Sequence, residues 1–140
     1  MNMAKNIVQL KTFKLASLFV FIFLLDQVTK YWFSRNLILA INTGFSFGLI
    51  NNLSIMVISA LQIFFLVVVV FFAKFRKIGQ YQAVIILAAG SSNLLDRWLF
   101  SGVRDIFYLP ILNLTNNLAD WLIFLTIIFG ILTKLKQEHQ

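Results

Sequence analysis

The sequence predicts an all-α membrane protein: four transmembrane helices, both termini cytoplasmic, and small outward-facing segments that include short β-strands. Three observations predict it. The 140 residues are 60% hydrophobic and 12% charged, with 16 Phe, whereas a soluble domain is about half apolar and about a quarter charged. Four apolar runs approach the roughly 20 residues that a helix needs to cross a bilayer. The basic residues sort to one side of those runs. The whole chain, 1–140, is read as a single integral membrane domain.

The spans fall at about 15–33, 53–73, 81–100 and 118–133. The first is interrupted by Asp26, Gln27 and Lys30; the second carries no charge; the third contains Asp96 and Arg97; the fourth contains Asp120. Leu15–Leu25 has the length of a signal-peptide core, but no small-residue cleavage site follows it, so it is read as part of the first span. Lys5, Lys11 and Lys14 precede span one, Lys74, Arg76 and Lys77 lie between spans two and three, and Lys134 and Lys136 follow span four. Arg35, Arg97 and Arg104 fall on the other side, and Lys30 lies within span one. The positive-inside rule then places both termini and the 74–80 loop in the cytoplasm. The net charge of +7 is thus topology, suited to anionic lipid and not a footprint for nucleic acid. Two segments face outward, about 34–52 and 101–117. The second has helix-stopping Gly102, the sole proline, Pro110, and a β-prone stretch from Val103 to Leu109.

The chain has four Asp, and three of them interrupt spans. At a helical rise of 1.5 Å per residue, Asp26, Asp96 and Asp120 lie about 18, 24 and 21 Å from the cytoplasmic edge, in the outer third of the hydrocarbon. Asp105 lies in the second outer segment and can fold back to that level. Trp32, Trp98 and Trp121 follow the span aspartates closely, as in an outer aromatic belt. Acids inside a membrane are costly and mark function unless they are paired. Asp26 has Lys30 four residues on and Asp96 has Arg97 beside it, so local pairing accounts for both. Asp120 has only Ala119 and Trp121 as neighbours. Asp105 has Arg104, but adjacent residues of an extended segment point to opposite faces. Asp105 and Asp120 are therefore the acids left for chemistry.

Other chemistries are thinly supplied. The absence of Cys removes thiol nucleophiles, disulfides and thiolate metal sites. Gly44-Phe45-Ser46-Phe47-Gly48 spells the G-x-S-x-G of a hydrolase elbow. An elbow serine needs a base, and His139, the only His, lies in the cytoplasmic tail. Lys30, one helical turn from Asp26, is held charged and is no base. Ser46 is read as no nucleophile. Asn113-Leu114-Thr115 spells a glycosylation acceptor and is read as chance.

Five boxes in order resemble the lipoprotein signal peptidases (signal peptidase II), intramembrane aspartyl proteases of bacteria. Asp26-Gln27-Val28-Thr29-Lys30 is similar to the family's D-x-x-T-K, and Asn42-Thr43-Gly44-Phe45-Ser46-Phe47 to its N-x-G-x-[AS]-F. Asn93-Leu94-Leu95-Asp96-Arg97 resembles N-x-x-D-R, Val103-Arg104-Asp105-Ile106 resembles V-x-D-[FI], and Asn117-Leu118-Ala119-Asp120 resembles N-x-A-D. Two departures stand out: Ala88-Ala89-Gly90-Ser91-Ser92 is less glycine-rich than the family's run there, and Asn116 occupies a position that is commonly Phe.

The resemblance implies Asp105 and Asp120 as catalytic residues, with Asn42, Gly44, Asn93, Asp96, Arg97, Asn117, Asp26 and Lys30 binding substrate or supporting the site. It implies an aspartic endopeptidase of the bacterial inner membrane, needing no metal and no other cofactor. Its substrate would be a diacylglyceryl-modified prolipoprotein, cut just before the modified cysteine near the outer face, by a monomer in contact with membrane lipid. The outer loop carrying Asp105 would order around the substrate. Two other classes share some features. A non-catalytic binder of lipoprotein signals, or a scaffold, would lack a dyad Asp, and both are present. A proton-coupled protein would string its acids across the bilayer, and these lie in one layer.

Overall fold

The computed structural model describes residues 2–36, 40–44, 54–111 and 114–138. In chain order these form α1 (Asn2–Asn36), β1 (Ala40–Asn42), α2 (Ile55–Lys74), α3 (Gln80–Phe100), β2 (Val103–Asp105), β3 (Phe107–Leu109), β4 (Leu114–Asn116) and α4 (Leu118–Glu138). All four helices are long and apolar enough to cross a membrane. The four predicted spans lie on them to within two residues. α1 extends well beyond its span at the N-terminal end, through Lys5, Lys11 and Lys14. Charge ends a hydrophobic run but does not end a helix, because Lys is a good helix former.

α3 is the central helix and packs against α1, α2 and α4. It does so through small residues: Ala88, Ala89 and Gly90 are all buried. A Cβ on Gly90 would stand 2.6 Å from Leu66 Cδ2 on α2, so the α2–α3 approach uses the bare backbone there. Ala88 and Ala89 meet Ile22 of α1 and Ala119 of α4 in one apolar cluster. Two alanines and one glycine thus suffice for close packing of this helix.

The distribution of polarity is that of a chain solvated by lipid. Phe13, Phe21, Phe64 and Phe129 are exposed, while Asp26, Lys30, Asp96 and Asn117 are fully buried. Buried charges persist in such an interior only when paired or hydrogen-bonded, and these are.

The outer segments form two small antiparallel sheets. β1 pairs with β2, setting Ala40 opposite Asp105 and Asn42 opposite Val103. β3 pairs with β4 as a hairpin. The stretch from Val103 to Leu109 is therefore two strands in two sheets, with the switch at Ile106, whose N–H donates to the Asn116 carbonyl at 3.0 Å. α3 stops because Ser101 takes the left-handed conformation, φ 55°. Gly102 then lets β1 lie close: a Cβ there would meet Ile41 Cγ2 at 2.6 Å and the Asn42 carbonyl oxygen at 3.0 Å.

Candidate active site

Asp105 ends β2 and Asp120 lies in the first turn of α4, and asparagine joins them. Asn117 is the N-cap of α4. Its Oδ1 accepts from the Asp120 N–H at 3.0 Å, and the Asp120 carboxylate accepts from the Asn117 N–H at 3.3 Å. That is a reciprocal capping box built from Asn and Asp, so the N-x-A-D spacing is itself a helix start. The Asn117 amide nitrogen then donates to Asp105 Oδ1 at 2.9 Å. One residue caps the helix that carries one aspartate and grips the other.

Two further asparagines repeat the arrangement. Asn42 accepts from the Gly44 N–H at 2.9 Å and donates from Nδ2 to Asp105 Oδ2 at 2.9 Å. Asn93 accepts from Lys30 Nζ at 2.7 Å and donates from Nδ2 to Asp120 Oδ1 at 2.8 Å. In all three a scaffold donor occupies the amide oxygen. The NH2 group, which can only donate, is left facing a carboxylate.

The remaining aspartates do a different job. Asp26 is fully buried and takes Lys30 Nζ at 2.7 Å, Ser92 Oγ at 2.6 Å and the Ala119 N–H at 2.9 Å, tying α1 to α3 and α4. Asp96 receives Arg104 as a fork, Nη2 to Oδ1 at 2.8 Å and Nε to Oδ2 at 3.2 Å, with the Arg104 N–H at 3.0 Å and Lys30 at 3.4 Å. Gln27 closes this cluster by donating to Asp96 and Ser92 and accepting from Arg104. Arg104 also lies 4.3 Å over the Phe100 ring. Its side chain turns away from Asp105, as the alternation of an extended strand requires. It pins β2 to α3 and so fixes the height of Asp105.

The expected Asp96–Arg97 pairing is replaced by this Asp96–Arg104 fork. Neighbours on a helix point about 100° apart and do not face a common partner. Arg97 instead donates to Gln62 Oε1 of α2 at 2.6 Å, to the Gly44 carbonyl at 3.2 Å and to the Asn93 carbonyl at 3.4 Å. It is a brace that holds the backbone orienting Asn42. Gln62 in turn donates to the Gly90 carbonyl at 2.6 Å.

All ten residues singled out from the sequence are thus joined in one hydrogen-bonded network. Asn42 and Asn93 each hold the carboxylate of Asp105 or Asp120, and Asn117 does so and caps α4 as well. Asp105, expected on a loop, ends a strand and accepts at both carboxylate oxygens. Asn116 is fully buried, accepts from Trp121 Nε1 at 2.8 Å and leaves its own Nδ2 without a partner. It anchors a tryptophan and forms no open pocket wall. Ser46 and His139 lie outside the described residues. Sequence reading missed Gln62, Ser92 and Arg104; isolated polar residues in an apolar span, as Gln62 is, are the signal that was available for the first. Among the described residues no cluster of His, Cys, Asp or Glu has the form of a metal site.

Asn117 allows its two roles to be separated. Ser caps as well as Asn but has no amide to reach Asp105. Asn117→Ser is expected to keep the cap and to lose about 1–3 kcal/mol of stability, for the buried Asp105 oxygen left without its donor, as read by thermal unfolding, while activity falls at least tenfold. Activity close to wild type in this variant would mean that the cap alone matters.

The comparisons with known proteins follow the same outline. The family model for signal peptidase (SPase) II matches residues 18–136. Two proteins named lipoprotein signal peptidase, from Campylobacter jejuni subsp. doylei and C. jejuni subsp. jejuni serotype O:6, are each 30% identical, over 93% of this chain and 97% of theirs. Two solved structures, both described as bacterial membrane enzymes obtained by the in meso method, share the fold. Their TM-scores are 0.73 and 0.70 at 23% identity, covering 89% and 88% of this chain and 89% and 93% of theirs. With a family match that runs from the middle of α1 almost to the end of α4, the chain belongs to the signal peptidase II family.

Proposed function

We propose that this protein is an aspartic endopeptidase that cleaves the signal peptide from bacterial prolipoproteins, hydrolysing the bond before the diacylglyceryl-modified cysteine. Family membership makes it a peptidase, and the relatives' name gives the substrate class. The observation that carries the dyad is a contrast between its acids. Asp26 and Asp96 are neutralised by Lys30 and Arg104, whereas Asp105 and Asp120 are held by neutral amides. Amides orient a carboxylate without cancelling its charge, which leaves it able to exchange protons.

Two carboxyls in one site share a proton, since both cannot ionise cheaply. The carboxylate takes a proton from water, whose oxygen attacks the scissile carbonyl. The carboxyl donates its proton to the carbonyl oxygen, giving a tetrahedral diol. As the diol collapses, the first aspartate passes the proton it took from water to the leaving amine, and the second recovers a proton from a diol hydroxyl, which returns the pair to its starting state. Asp120 is partly open and Asp105 only 3% exposed, so substrate approaches from the Asp120 side. The bias of basic residues toward the ends and the 74–80 loop supports a site at the outer face of the inner membrane, with both termini cytoplasmic. The acyl chains of the substrate stay in lipid, and the protein acts as a monomer.

The test is cleavage by the purified protein in detergent, with products identified by mass. A diacylglyceryl-modified prolipoprotein is expected to be cut before its cysteine, in the presence of chelator, and an unmodified one not. Retention of the modified substrate without cleavage would favour the signal-binding reading.

A further inference from the structure

At the opposite end of the bundle from the aspartates lies a cavity of about 590 Å³, lined by Lys11 of α1, Arg76 and Lys77 of the α2–α3 loop and Lys134 of α4. Four cations converge there with no acid in the lining. Four of the chain's five acids are in the aspartate network, and Glu138 is not part of this wall. Among the described residues none of the four cations is in an ion pair. A bias of basic residues toward one membrane face explains their side but not their convergence on a concavity.

The backbone adds a second sign. α2 closes with the Arg76 N–H donating to the Ala73 carbonyl at 3.1 Å and the Lys77 N–H to the Phe72 carbonyl at 2.9 Å. That is a Schellman closure, and Arg76 occupies its left-handed position with φ 55°. Glycine takes this position without strain and arginine does not. An arginine held there is a cue to function.

The third observation is continuity. A second cavity of about 290 Å³ shares Lys77, Ile78, Gln82, Gly130 and Lys134 with the first. It runs on between α2, α3 and α4 past Phe72, Ile86, Ile127 and Ile131. Gly130 keeps the junction open, since a Cβ there would stand 3.1 Å from Gln82 Nε2. A cationic mouth that leads into an apolar groove has the polarity of one amphiphile. We propose that this paired cavity binds an anionic phospholipid, with its phosphate among Lys11, Arg76, Lys77 and Lys134 and an acyl chain in the groove beside Ile127 and Ile131. Basic pockets between membrane helices suit such headgroups. A free phosphate would use the mouth and leave the groove empty. The site stands apart from the peptidase chemistry and does not depend on it.

The experiment uses delipidated full-length protein in detergent, with phosphatidylglycerol and phosphatidylcholine of equal chains as probes and retained copies read by native mass spectrometry. One phosphatidylglycerol is expected to bind at least tenfold more tightly than phosphatidylcholine. Lys77→Gln/Lys134→Gln, which alters residues shared by both cavities, is expected to weaken it about tenfold or more. Lys5→Gln/Lys14→Gln removes as much charge outside the cavity and is expected to change it less than twofold. Equal loss in both variants, or equal binding of both lipids, would overturn the proposal. Arg76→Gly relieves the backbone, so it is expected to fold at least as well and still bind phosphatidylglycerol severalfold more weakly; unchanged affinity counts against the site. Inorganic phosphate is expected not to displace the lipid. If it does so at concentrations comparable to the lipid, the ligand is the free anion and the lipid assignment fails.

Discussion

Asp105→Asn and Asp120→Asn are each expected to lower kcat for prolipoprotein cleavage by about 10²–10⁴-fold or more, the range that proton transfer by a positioned side chain contributes. The two act as one unit, so the double substitution is expected to be little worse than the more damaging single. Each substitution has a structural cost that must be separated from the chemical one. Asp105 accepts Asn42 on one oxygen and Asn117 on the other. An Asn at 105 turns an NH2 group toward one of those donors, which costs about 1–3 kcal/mol for the group left unsatisfied. Asp120→Asn meets the same conflict between Asn93 and the Asn117 N–H. A modest loss of thermal stability with a near-total loss of cleavage is therefore the expected pattern. Ser46→Ala is expected to cut at close to the normal rate. A folded Asp120→Asn that retains a tenth or more of wild-type kcat would remove Asp120 from the chemistry, and a dead Ser46→Ala would return the serine to consideration.

The spans, the layer of acids and the identity of the two unneutralised aspartates were legible because each depends on local facts: run length, helical rise, and which cation lies within one turn. The capping box was legible in part, since N-x-A-D has the spacing of a helix start. The small residue inside it has its own reason, because Ala119 is fully buried and its N–H donates to Asp26 across the bundle. The partners of the asparagines were not legible. Asn93 meets Lys30 from 63 residues away and Asn42 meets Asp105 over the same separation, and such pairings exist only once α1, α3 and β1 are placed. The Asp96–Arg97 expectation failed for a reason available beforehand, namely that adjacent helical residues diverge. The fork from Arg104 was hidden because it depends on β2 folding back along α3 after Ser101 and Gly102.

Lys30→Met is expected to destabilise the fold by about 3–5 kcal/mol, the cost of leaving buried charge without its partner. Lys30 is fully buried and its ammonium meets Asp26 at 2.7 Å, Asp96 at 3.4 Å and Asn93 Oδ1 at 2.7 Å. Met fills a similar volume, so the expected loss is electrostatic and not a cavity effect. Unfolding in detergent by heat or denaturant measures it, and stability equal to wild type would show that the cluster needs no cation there. Adding Asp26→Asn removes one of the stranded charges, while an amide oxygen still accepts from the Ala119 N–H, so the double variant is expected to regain part of the stability. Activity is expected not to return with it. The Lys30 ammonium occupies Asn93 Oδ1 and so keeps the amide NH2 turned to Asp120. Without that donor the amide is free to rotate and present its oxygen to the carboxylate, which repels it. A folded but slow Asp26→Asn/Lys30→Met would locate the contribution of Lys30 in orienting the dyad. Full activity in that variant would confine Lys30 to stability.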